Sequence, residues 1–176
     1  MELLAAIGGP KGPLKKISDQ VRVLAELIIG TRKIKTPYGI KKLDMSYEIP
    51  YLAGYNKSGD TIYIDKRLEP SFILKDGRKM NVIKYLVIHE AIEKHLEDKK
   101  GYKYPYAHEL STGEEKKAVE KDNFPWDQYQ KYVLKEIQRI KKIDPGDPIP
   151  ADYDDQPERD TRDYGLLKVI KEHQKD

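Results

Sequence analysis

The chain has 176 residues, 38% of them hydrophobic and 36% charged, with a formal net charge of +3. That length holds one domain with a real core and polar appendages, and so small a charge makes no case for nucleic acid on its own. Without cysteine there is no disulfide and no thiolate metal site, so any metal has to be held by His, Glu or Asp.

The opening run MELLAAIGG lacks a basic region and is too short for a secretory signal. The most apolar run, VRVLAELIIG, carries Arg22 and Glu26 and falls short of the ~20 residues of a membrane span. A cytoplasmic location without a membrane partner is therefore expected. Residues 1–42 read as a basic N-terminal segment. Within it Leu14, Ile17, Val21, Leu24 and Ile28 recur at spacings of three and four, which predicts an amphipathic helix from Pro13 to Ile29. That stripe can dock on the domain or pair with another chain. Between Lys11 and Lys42 lie nine basic residues and two acidic ones, read as a solvated face, with a phosphate or nucleic-acid patch as the alternative.

Residues 43–143 read as an α+β core domain. MSYEI and TIYID flank the turn-rich GYNKSGD, which predicts a hairpin or two neighbouring strands, and KDGRK marks a further turn. A long helix is expected from near Asn81 to about Asp98, broken by Gly101 and Pro105, and a second from Tyr106 to Lys121. NFPWDQYQKYVLKEIQRIKK predicts a third, with Trp126, Tyr129, Val133, Ile137 and Ile140 on one stripe and Arg139, Lys141 and Lys142 at its C-terminal end. Residues 144–176 read as an acidic, Pro-rich arm, closed by a short helix in YGLLKVIKEH. From Asp144 to Asp163 it has eight acidic residues against two basic ones. Both ends are expected to dock on another subunit or a partner protein.

The long helix carries an anomaly. Val82, Leu86, His89, Glu93 and Leu96 share one face by the 3.6-residue period, so a histidine and a glutamate interrupt a stripe that should be apolar. A buried carboxylate has to find a cation, a hydrogen-bond network or a proton. The second helix repeats the pattern with His108, Ser111, Glu115 and Ala118. If the two helices form a hairpin, His89, Glu93, His108 and Glu115 converge. Two imidazoles and a carboxylate, with water in the fourth place, are the ligand set of hydrolytic zinc sites. His89, Glu93 and His108 are the expected ligands, with Glu115 a fourth ligand or a support behind them. Glu90 stands where H-E-x-x-H enzymes carry their general base, and TIYID where such enzymes place an edge strand for an extended substrate. The bland alternative is a buried His–Glu hydrogen-bond network that only orders the core. His95 lies about 120° from the His89 face and reads as a surface residue, and His173 is uninformative.

Over roughly residues 50–135 the chain resembles a group of uncharacterised phage and prophage proteins. Their pattern is an IYID-like strand, a His-Glu-x-x-Glu helix and an Ala-His…Thr…Glu helix, matched here by Ile62–Asp65, His89, Glu90, Glu93, Ala107, His108, Thr112 and Glu115. The pattern is also similar to minimal zincin-like peptidases, with Glu93 in place of the second motif histidine. That departure bears on peptidase activity more than on metal binding. The resemblance implies a zincin-like α+β fold and phage or prophage origin, in the host cytoplasm or associated with a virion. The site residues themselves point to two functions: a metal-dependent, peptidase-like hydrolase using zinc or another divalent metal on a peptide or protein substrate, or a non-catalytic structural protein in which the same cluster is a metal or hydrogen-bond knot.

Overall fold

The computed structural model describes residues 32–141 and 148–174. The amphipathic stripe from Leu14 to Ile28 lies outside them.

A four-stranded sheet comes first. β1 (Arg32–Thr36) and β2 (Gly39–Asp44) form an antiparallel hairpin in which Thr36 pairs with Gly39. Its turn is closed by the Thr36 hydroxyl, which accepts from the Tyr38 N–H and donates to the Gly39 carbonyl. β2 runs across the division expected at residues 42 and 43, so part of the basic segment is sheet. The chain then passes over one strand position, lays down β3 (Ala53–Tyr55), turns, and returns as β4 (Thr61–Ile64) into the gap. The order is β1-β2-β4-β3, with β2 and β4 parallel and the other two pairs antiparallel.

Two expectations change here. MSYEI is not a strand; the partner of TIYID is Ala53–Tyr55, because the Asn56–Asp60 turn is the tight one. The Asn56 side chain accepts from the Thr61 N–H at 3.0 Å, and Gly59 has φ +71° where a Cβ would also press on Lys94. TIYID is not an edge strand either. β4 is interior, and all four of its residues are buried, as a strand covered on both faces should be.

A second, two-stranded antiparallel sheet of β5 (Ser71–Ile73) and β6 (Lys79–Asn81) leads into the helices. α1 spans Ile83–Lys100, two residues later at each end than the pattern suggested. Asn81 does help start it, its side chain accepting from the Ile83 N–H at 2.9 Å. Gly101 ends it in the left-handed conformation, its N–H returning to the Glu97 carbonyl and the Tyr102 N–H to that of Leu96. α2 covers Tyr104–Lys121. Pro105 sits in its first turn, where a missing N–H costs nothing, so it begins the helix instead of breaking it. α3 is Trp126–Lys141. α1 and α2 form the expected hairpin, and the whole is an α+β arrangement.

The segment expected as an extended arm folds back. α4 (Gln156–Thr161) and α5 (Tyr164–His173) follow a stretch in which Ile149 and Tyr153 join Ile170, Ile49 and Tyr63 in a buried apolar cluster. Residues 152–154 lie along the end of β3: Lys57 N–H donates to the Asp152 carbonyl and Asp154 N–H to the Tyr55 carbonyl. The described part of the tail thus packs on its own sheet. No helix among the described residues is long and apolar enough to cross a membrane.

Candidate metal centre

His89 and Glu93 project from the middle of α1, one turn apart, into the space between α1, α2 and β3. They are only 6% and 2% exposed. His108 reaches them from the first half of α2, with 47% of its side chain open to solvent. His89 Nε2, Glu93 Oε2 and His108 Nδ1 form a triangle with edges of 3.2, 3.1 and 2.8 Å. This is the one group of three or more ligand-type side chains drawn together among the described residues. Tetrahedral zinc with bonds near 2.0–2.1 Å needs neighbouring ligand atoms about 3.3 Å apart. Two edges are within 0.2 Å of that, and the Glu93–His108 edge at 2.8 Å is about half an ångström short of it.

The atoms behind the triangle fix its orientation. His89 Nδ1 lies 3.0 Å from Glu115 Oε2, and Glu115 Oε1 accepts from the Tyr129 hydroxyl of α3. Glu115 thus meets the imidazole on the side away from the triangle. When His89 is neutral and gives Nδ1–H to Glu115, the Nε2 lone pair points into the triangle, the arrangement that metal-binding histidines need. Glu93 Oε1 accepts from the Tyr55 hydroxyl of β3 at 3.1 Å. The same hydroxyl lies 2.9 Å from Glu97 Oε2. Burial pushes the Glu97 carboxyl up to about 7, against a lowering from its hydrogen bond with Tyr55.

Charge in the centre is unevenly shared. Burial alone would lower the His89 pKa, but hydrogen bonds to Glu115 and Glu93 outweigh it and hold His89 well above the usual imidazole range. Burial likewise works to raise Glu93, and its hydrogen bonds to His108 and His89 reverse that into a net lowering. Glu90 is different. It is 8% exposed, has no hydrogen bond or ion pair among the described residues, and burial followed by the Glu93 charge pushes its carboxyl far up.

Glu90 lines a cleft of about 210 Å³ together with His89, Glu93 and His108. The expected base and ligands thus open on one space. Thr112 lines it too, its hydroxyl tied to the His108 carbonyl at 2.9 Å. His95 is outside the centre and is not simply a surface residue: it is half-buried, stacked on Tyr38 with ring centroids 3.8 Å apart. Tyr55 and Tyr129, which hold the two carboxylates, were not visible as site residues. One sat in a turn-rich run, the other in an apolar stripe. Comparison with family models, curated proteins and solved structures returns no match, so function has to be argued from these residues.

Proposed function

We propose that the chain is a zinc-dependent, peptidase-like hydrolase of zincin-like type and of phage or prophage origin, acting on a peptide or protein in the host cytoplasm or at a virion. The observation that carries this reading is the triangle of His89 Nε2, Glu93 Oε2 and His108 Nδ1 beside a carboxyl that has no partner, Glu90, in the same cleft. Three mutual acceptors at 2.8–3.2 Å are poorly satisfied by protons. Once His89 gives Nδ1–H to Glu115, hydrogen bonds cannot serve every edge, whereas a cation serves all three at once. The bound ion would supply Lewis acidity and an activated water.

The chain's own groups would do the rest. Glu115 keeps His89 in the ligating tautomer, Tyr55 holds Glu93, and Glu90 takes and returns the proton of the attacking water. A divalent charge beside Glu90 would draw its carboxyl back toward the ionised form, as a general base requires. β4, being interior, cannot take an extended substrate by strand addition, so the substrate would enter the cleft from the solvent side of His108. A second reading is a structural ion in a phage or virion protein. It is favoured by the way Tyr55, Glu115 and Tyr129 tie the centre to β3, α2 and α3. Glu90→Gln separates the two. In a hydrolase it keeps the fold and the metal while turnover of casein or a mixed fluorogenic peptide library falls by about 10²-fold. Zinc-loaded protein that cleaves neither substrate, or a variant as active as wild type, would remove the hydrolase reading.

A further inference from the structure

The cleft beside the metal centre contains another carboxylate, supplied by the tail and used by nothing described above. Glu158 of α4 is 1% exposed, and both of its oxygens are buried without a hydrogen-bond partner. It forms no ion pair with a described residue, although Arg159 next to it binds Asp155 and approaches Asp154. Burial, with the charges of Asp155, Asp154 and Asp163, pushes its carboxyl up to about 7, only partly offset by its own backbone N–H, and no other described residue bonds it. A buried polar group with neither oxygen satisfied is a standing penalty that folds avoid unless something fills the gap. Glu158 lines the same cleft as Glu90 and Glu93.

The chemistry of the missing partner can be narrowed. Among the described residues the cleft wall holds five carboxylates, from Glu90, Glu93, Glu115, Asp154 and Glu158, against two imidazoles and no lysine or arginine. Glu93 and Glu115 are engaged at the metal centre and Asp154 by Lys94 at 2.8 Å, which leaves Glu90 and Glu158. The remaining wall is largely aromatic and aliphatic, including Trp126, Val133 and Ile137. At about 210 Å³ the space takes roughly one amino-acid residue. A small group with an apolar body and a cationic, hydrogen-donating end fits such a wall.

We infer that Glu158 is the substrate-recognition residue of this cleft, binding a primary ammonium group carried by the residue that enters it. This rests on the hydrolase reading and narrows it to substrates with a free amine near the bond cleaved. The amine could be the α-ammonium of a peptide N-terminus or the side-chain ammonium of lysine, and the two are separable.

Trp126 is the chain's only tryptophan and lines the cleft, so its fluorescence reports occupancy. Zinc-loaded wild type and Glu158→Gln are titrated with L-leucinamide, Nα-acetyl-L-lysinamide and N-acetyl-L-leucinamide. The expected result is that at least one amine binds about tenfold or more tightly than the acetylated leucine, the usual gain from a charge-assisted hydrogen bond. Preference for leucinamide assigns the α-ammonium, and preference for the lysine derivative the side chain. Glu158→Gln should abolish the preference while binding zinc as wild type does. The comparison of ligands on wild type needs no variant, so a folding defect cannot hide the answer. If acetylated leucine binds as well as both amines, if no amine binds, or if Glu158→Gln keeps the preference, the inference is overturned. Absence of turnover with amine preference intact would instead count against the hydrolase reading alone.

Discussion

Both oxygens of Glu93 are committed, one to His89 and His108 and the other to the Tyr55 hydroxyl. Removing that hydroxyl leaves a buried carboxylate oxygen unpaired and free to swing out of line. Tyr55→Phe should therefore weaken zinc binding by about tenfold or more, as losses behind a ligand commonly do. Competition against a chromophoric chelator measures it, and unchanged affinity would mean that Tyr55 only fills space. The clustering of His89, Glu93 and His108 was legible, because polar residues on an apolar helical stripe need an explanation. Tyr55 was not, since a tyrosine at a strand end looks like any other core aromatic until the tertiary fold brings it to Glu93. Glu158 was hidden for the opposite reason. One glutamate among the acids of the tail carries no mark of burial.

α1 and α2 are joined only by Gly101–Lys103, and the imidazole of His108 is the link from α2 to the buried Glu93. Without it Glu93 keeps His89 and Tyr55 but loses its shortest contact. His108→Ala should lower stability by about 1–3 kcal/mol, since it strips a partner from a buried carboxylate. Chelation should lower the melting temperature of wild type and add little in the variant. A melting temperature indifferent to both treatments would exclude any structural part for the ion. α1 and α2 lie within two residues of their expected bounds, although α1 is buried on nearly every side from Ile83 to Lys94 and not along one stripe. The sheet was harder to read. β1 and β2 were masked by lysines, although Lys33 and Lys35 are simply the solvent-facing half of an alternating strand whose other half is Ile34 and Thr36. Strand order across a parallel β2–β4 pair is a long-range property with no local signal.

Over the whole molecule the tail completes the core and reaches the cleft. Acidity and prolines suggested an unpacked arm. What overrode composition was a few well-spaced apolar residues, Ile149, Tyr153 and Ile170, closing over Ile49 and Tyr63, with Asp152 accepting from the Tyr63 hydroxyl at 2.6 Å and Asp154 holding Lys94. The tail also sets a pH signature. Glu158 is raised from its ordinary 4.5 to about 7 by burial, so the folded state holds this proton more tightly than the unfolded chain does. Its contribution to stability is full below about 4.5, is lost as pH rises through about 7, and is flat beyond. Denaturant titrations should show Glu158→Gln gaining on wild type across that window, by on the order of 2 kcal/mol between pH 5 and pH 8. A difference that does not change with pH would mean that Glu158 is paired in solution.

The central claim is that His89, Glu93 and His108 hold one divalent ion, and elemental analysis of protein purified without chelator tests it most directly. Wild type should carry close to one equivalent of zinc and His89→Ala under about a tenth, because a single remaining imidazole and carboxylate make a weak site. Wild type with well under half an equivalent after equilibration with micromolar zinc, or His89→Ala with as much zinc as wild type, would contradict it.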